Sequence, residues 1–168
     1  MRLHVLSDLH LEFGAIEIPT TNADVIVLAG DIDVGTKGLA WIRSRFPDQP
    51  VVYVLGNHEF YRHALPDLTE GLRRETKGSH IHLLENNSVE LAGFTILGCT
   101  LWTDFALRRN PERDMVEAEG SINDYRIIRL GTDNRVLQPR DTAKLHHDSV
   151  TWLKGELGRH NPARGRPL

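Results

Sequence analysis

An α/β fold built on a parallel sheet is predicted by three stretches of this sequence. Leu3–Ser7, Val25–Gly30 and Val51–Gly56 are apolar runs rich in β-branched residues, without the in-out alternation of a half-exposed strand, so each reads as a strand covered on both faces. The intervals between them are long enough for the crossovers that parallel pairing requires. Each run also ends in polar side chains: Asp8 and His10 after the first, Asp31 and Asp33 after Gly30, Asn57 and His58 after Gly56. Ligands of open parallel sheets gather beyond the carboxyl ends of the strands, so these residues are expected along one edge.

The elements follow in order. The first strand leads into a polar loop over 8–24 that carries Pro19 and Thr20-Thr21-Asn22. After the second strand, Leu39, Trp41, Ile42 and Phe46 predict a helix over 38–46 that Pro47 ends. Beyond the third strand, Leu65, Leu68 and Leu72 recur at helical spacing over 65–77, with Pro66 in the first turn and Gly78 as the stop. The period then changes. Ile81–Leu84, Ser88–Leu91 and Phe94–Leu101 read as strands, the last two joined by a tight hairpin at Ala92-Gly93. Residues 102–138 are irregular, with short helices near 104–109 and 111–119 and no clear strand, and are expected to form an insertion over the site. A helix over 140–158 closes the order, with Asp141 as its cap and an apolar stripe of Leu145, Val150, Trp152, Leu153 and Leu157. Such a helix normally feeds another strand, and 161–168 holds no strand-like run, so the sheet reads as unfinished and 162–167 as a frayed tail.

With 168 residues, 40% of them hydrophobic, the chain suits a single domain over 1–168 with a core of its own. The net charge of −3 provides no basic field, and the arginines between 108 and 140 alternate with acidic residues, which argues against nucleic-acid binding. No apolar run is long enough to span a bilayer, and the N-terminal run is broken at once by Asp8 and His10, so neither a membrane partner nor a signal segment is expected. The single cysteine, Cys99, excludes an intramolecular disulfide and fits a reducing compartment, the cytoplasm by default.

Asp8 and His10 are one residue apart, so an extended backbone past Ser7 would turn both side chains to one side. Asp31 supplies a carboxylate able to bridge two cations, and Asn57 a neutral oxygen. Mixed oxygen and nitrogen donors suit divalent Mn, Fe or Zn. Gly30 and Gly56 supply backbone freedom for a sharp departure from the strand. Asp8, Asp31 and Asp33 placed together without cations would repel one another and an anionic substrate alike. Singly, each Asp or Asn is an ordinary turn residue; together, three strands ending in the same kind of residue point to a site. Asp33 stands between direct ligation and capping. The stretch from Gly30 to Lys37 approximates a phosphate-binding loop but has Thr36-Lys37 in the wrong order, and its two aspartates would repel phosphates. Trp102, Thr103, Asp104, Asn123, Asp124 and Tyr125 are candidates for lining a pocket, with packing and capping as the alternative.

Asp8-Leu9-His10, Gly30-Asp31 and Gly56-Asn57-His58-Glu59, in this order, resemble the calcineurin-like metallophosphoesterase family of dinuclear metal hydrolases. The resemblance implies a β-sandwich flanked by helices and two divalent metal ions. It assigns Asp8 and His10 to the first metal, Asp31 to the bridge, Asn57 to the second metal, and His58 to catalysis near the leaving group. The implied activity is metal-assisted hydrolysis of a phosphate monoester or diester by in-line attack of activated water. Two departures stand out. The family's Gly-Asp-x-x-Asp is replaced by Gly30-Asp31-Ile32-Asp33, and its late histidines have no counterpart after 101, where His146-His147 is expected to be a solvent-facing pair. The C-terminal strands of the sandwich are therefore expected to be missing. A non-catalytic metal-binding or interaction module with an incomplete site is the competing reading.

Overall fold

The computed structural model describes residues 1–159, so the tail expected over 162–167 lies outside the described residues. Strands β1 (Leu3–Leu6), β2 (Val25–Ala29) and β3 (Val51–Val54) form where the apolar runs predict them. Helix α1 (Lys37–Arg45) joins β2 to β3; a two-residue strand β4 (Ala64–Leu65) and helix α2 (Asp67–Thr76) lead on to β5 (Ile81–Leu83). β1, β2, β3 and β5 pair in that order as one parallel sheet.

One face of the sheet carries Ile26, Leu28, Val51, Tyr53, Ile81 and Leu83, buried in one cluster with Leu39 and Ile42 of α1, Phe46 at its end, and Leu68 and Leu72 of α2. Fully burying an aliphatic side chain stabilises by about 2 kcal/mol, and a slip of one residue would turn this whole set outward. The register is thereby fixed, and with it the height at which each strand releases its polar loop.

The opposite face carries Val25, Val27, Val52 and Val54. It is covered by the antiparallel hairpin of β6 (Asn87–Leu91) and β7 (Phe94–Gly98), through Val89, Leu91 and Ile96. Ala92 (φ 51) and Gly93 (φ 81) make the turn in the left-handed conformation that matches strand twist. The cover does not reach β1, where Leu3 is 47% and Val5 58% exposed. Burial on both faces, expected of all three strands, therefore holds for β2 and β3 and fails for β1.

Residues 102–138 are more ordered than expected. No helix forms over 104–109, but α3 (Pro111–Ser121) does, with the Asn110 side chain accepting from the Arg113 N–H at 3.3 Å as its N-cap. It is followed by α4 (Asp124–Ile127) and by strands β8 (Arg129–Leu130) and β9 (Arg135–Val136), which build a small sheet in the order β4-β8-β9. Two-residue strands are too short to show a period, which is why none is legible in the sequence.

Helix α5 (Pro139–Arg159) closes the order. Asp141 lies within its first turn and reaches back to accept the Gln138 N–H at 2.8 Å, one half of a capping box rather than the cap itself. The expected apolar stripe is only half-buried, and Leu157 is 60% exposed; beyond Pro139 at its start, the buried positions are Thr142, Ser149 and Glu156, seven residues apart. No helix among the described residues is long and apolar enough to cross a membrane.

Candidate metal centre

Past Leu6 the chain leaves the extended conformation. Asp8 (φ 56) and His10 (φ 47) are both left-handed, as is Asp31 (φ 56) in the next loop. This region crowds the β-carbon of any L-residue and costs about 1 kcal/mol or more each time, so it persists only where the surroundings impose it. Here the sheet ladder imposes it. The Asp8 N–H donates to the Gly30 carbonyl at 3.1 Å, the His10 N–H to Asp31 at 3.0 Å and the Leu11 N–H to Ile32 at 2.9 Å. Asp8 and His10 thus converge through two left-handed residues pinned to the neighbouring loop, not through continued extension.

The loops after β2 and β3 are joined by one carboxylate. Glu59 is fully buried; its Oε2 accepts from the N–H of Asp31 at 3.1 Å and of Gly56 at 2.8 Å, and its Oε1 from the Ile32 N–H at 2.9 Å and the Tyr53 hydroxyl at 2.9 Å. Burial pushes the Glu59 carboxyl above its ordinary value despite these donors, and raises the Tyr53 hydroxyl well above its own. The His58 N–H donates to Asp31 Oδ1 at 2.9 Å, a second tie between the same loops. The two glycines meet at this junction. Gly30 takes φ +93, as expected of a sharp turn, but Gly56 is required for a different reason: a β-carbon there would lie 2.1 Å from Asp31 Oδ1 and 2.6 Å from its N.

Ligand-type atoms of Asp8, His10 and Asp31 lie within 4.8 Å of one another, and so do those of His10, Glu12 and His58. His58 Nδ1 is 2.6 Å and His10 Nδ1 3.3 Å from Glu12 Oε1. A carboxylate only accepts, so Nδ1 of His58 carries a proton and Nε2 is left for other work. Burial opposes the charge on Glu12, but hydrogen bonds to His58, to its own backbone and to His10 hold its carboxyl below the ordinary value. The Tyr61 ring stacks on His58 with centroids 4.2 Å apart. Asn57 Nδ2 donates to Asp124 Oδ1 at 2.8 Å.

Asp33 belongs to neither donor group; its Oδ1 accepts the adjacent Val34 N–H at 2.7 Å, the capping alternative. Of the pair expected to face solvent, His147 is exposed but His146 is not: it is half-buried, hydrogen-bonded through Nδ1 to the Trp102 carbonyl, with Nε2 3.7 Å from Asp104. Beside Asn57 opens a groove of about 820 Å³ bordered by Val54, Leu101, Trp102, Asp124 and Leu153.

The donors fit divalent cations. Two carboxylates and an imidazole converge from β1 and β2 at positions that hold three left-handed residues, and Glu12 Oε2 is buried with no hydrogen-bond partner. Carboxylates brought this close favour a cation between them.

The sequence model of the calcineurin-like phosphoesterase family matches residues 1–98. The chain belongs to that family. The matched residues contain all three strand-end motifs. An uncharacterized protein of Acanthamoeba polyphaga mimivirus is 25% identical over 179 residues, covering 92% of this chain and 62% of that protein. The crystal structure of phosphopantetheinyl hydrolase from Mycobacterium tuberculosis superposes with a TM-score of 0.64 at 18% identity, covering 95% of this chain and 64% of that one. The calcineurin-like phosphoesterase chain described here thus spans just under two thirds of the length of either protein.

Three residues of this candidate centre were not foreseen in these roles. Glu12 continues the alternation of Asp8 and His10, a spacing that could have flagged it. Glu59 follows His58 directly, but its inward turn depends on the 3₁₀ turn over His58–Phe60. Asp124 lies 67 residues from Asn57, and no local signal connects the two.

Proposed function

We propose that this protein hydrolyses phosphate esters at a centre of two divalent cations. Asp8 and His10 would hold one, Asn57 the other, Asp31 would serve both, and His58 would assist the leaving group. The convergence of Asp8, His10 and Asp31 within 4.8 Å, with His58 adjoining through Glu12, is the observation that carries this reading. Cations of the Mn, Fe or Zn type supply Lewis acidity there, lowering the pKa of water and offsetting charge on the phosphoryl oxygens. Glu12 accepts the Nδ1 proton of His58 and Tyr61 stacks on the ring, which together fix the imidazole. In the doubly protonated ring, Nε2 would then be the atom that gives its proton to the departing oxygen. The groove beside Asn57 is wide enough for the organic part of the ester, and Trp102 and Leu101 give it an apolar wall.

The test is turnover of p-nitrophenyl phosphate and bis(p-nitrophenyl) phosphate by protein supplied with Mn²⁺. Hydrolysis of either, abolished by Asp31→Asn, is the expected outcome. No turnover of both by protein with two equivalents of Mn²⁺ bound rules the enzymatic reading out. The alternative, a non-catalytic metal-binding module with an incomplete centre, draws on His146 being held at Trp102 and Asp104. It predicts at most one metal per chain, which elemental analysis reads directly.

A further inference from the structure

Asn57 can serve a cation only through its Oδ1, and nothing in the strand-end motif says which way its planar amide faces. The structure decides this from outside the motif. Both hydrogen bonds of the side chain leave from Nδ2, one to Asp124 Oδ1 at 2.8 Å and one to the Tyr61 hydroxyl at 3.4 Å. The Tyr61 hydroxyl in turn donates to the same Asp124 oxygen at 3.0 Å, which closes a triangle of three side chains. Asp124 is itself buried, 8% exposed, at the start of α4, and the Asn123 and Asp124 carbonyls accept the N–H groups of Ile127 and Ile128 at 3.1 Å each, so its backbone is fixed. A carboxylate has no proton to offer the amide at this distance. The opposite amide orientation would set Asn57 Oδ1 against the Asp124 carboxylate at 2.8 Å and lose that bond, and the Tyr61 hydroxyl could donate to Oδ1 only by giving up its own bond to Asp124.

We infer that Asp124 is a positioning residue for the metal centre: it holds the amide of Asn57 so that Oδ1, not Nδ2, is presented to the second cation. This rests on the assignment of Asn57 to that cation made above. The same carboxylate also anchors the Tyr61 hydroxyl, whose ring stacks on His58, so the ligand and the imidazole that follows it share one support. A negative charge accepting from Nδ2 polarises the amide and strengthens Oδ1 as a donor, which matters most for a ligand that carries no charge of its own. The segment 102–138, expected to lie over the site, acquires a function from this bond. It sets the geometry of a ligand contributed by the loop after β3.

The experiment compares the full chain with Asp124→Ala, Asp124→Asn and Asn57→Ala, using Mn²⁺ titration by calorimetry together with the side-chain NH₂ resonances of Asn57 in metal-free protein. Two Mn²⁺ sites are expected in the parent chain. In Asp124→Ala the weaker site should lose tenfold or more in affinity, matching the effect of removing a ligand's outer support, while the tighter site is unchanged. Asn57→Ala should show the same loss, and combining the two substitutions should add nothing further. Asp124→Asn, which can still accept from Nδ2 without the charge, should recover part of the affinity. The Asn57 NH₂ pair should be widely split in the parent and collapse toward solvent values in Asp124→Ala. This last signal needs neither metal nor activity, and the retained dispersion of the other amide resonances in the same spectrum shows that the variant is folded. Wild-type affinity at both sites in Asp124→Ala, additive loss in the double variant, or an unshifted Asn57 NH₂ pair overturns the inference. So does a parent chain that binds fewer than two Mn²⁺. Two Mn²⁺ bound without ester hydrolysis would instead remove the proposed activity and leave the role of Asp124 intact.

Discussion

The loops that follow β1, β2 and β3 and the segment from 102 to 138 both border the candidate centre, but they are held there by different means. The three loops are bound to one another by a buried carboxylate with four donors and by ladder bonds that run on past the strand ends. The later segment is anchored beside the loop after β3 by backbone bonds of its own, from the Arg62 N–H to the Ile127 carbonyl at 3.1 Å and from the Arg129 N–H to the His63 carbonyl at 2.9 Å, but it reaches the donors themselves through one side chain, Asp124 to Asn57 and Tyr61. The first region makes the donors converge, and the second orients one of them. A strained arrangement needs backbone bonds to impose it, whereas the rotation of a single amide can be set by one side chain.

Substitutions in each region test this difference. The largest effect belongs to Glu59→Ala, which leaves three N–H groups and a hydroxyl without a buried acceptor. At roughly 1 kcal/mol or more for each, a loss of about 4 kcal/mol in urea unfolding is expected, and a loss below 1 kcal/mol would mean that water replaces the carboxylate. Gly56→Ala comes next, since its β-carbon must displace Asp31. Overpacking of this kind costs about 2 kcal/mol, and Mn²⁺ affinity should fall with stability; retention of wild-type affinity would show that Asp31 moves without consequence.

Glu12→Gln tests the support of His58. Its kcat should fall about tenfold to a hundredfold with alkyl phosphates and much less with p-nitrophenyl phosphate, because assistance to a leaving group matters where the group is basic. An equal fall with both substrates would point away from His58 as the donor. In the second region, Thr142→Val removes the partner of the Tyr125 hydroxyl and should cost about 1 kcal/mol with no change in metal affinity. Smallest is Arg135→Ala. Hydrogen bonds from Arg135 hold the Asp141 carboxyl below its ordinary 3.8, so the folded group binds its proton less readily than the unfolded one. The stabilisation is therefore present above pH 3.8 and disappears as pH falls through the folded value. Thermal melts of parent and variant should differ slightly at neutral pH and converge in acid.

The parallel strands, with Asp8, His10, Asp31, Asn57 and His58 as the polar residues at their carboxyl ends, are legible in the sequence alone. Continuous apolar runs ending in polar residues are local features, and local features survive in one dimension. The sequence also suggested the right glycines with half of the right reason: Gly30 needs its backbone freedom, while Gly56 needs only the room that Asp31 takes. What the tertiary structure decided was everything that depends on a partner distant in the chain. The left-handed turns at Asp8 and His10 exist because the Gly30 and Asp31 carbonyls face them. The inward role of Glu59, the uncovered face of β1, the capture of His146 by Trp102 and the tie from Asp124 to Asn57 have the same origin. A hydrogen bond across 67 residues leaves no period or motif behind it, because its energy depends on where two side chains come to rest and not on what lies beside either of them.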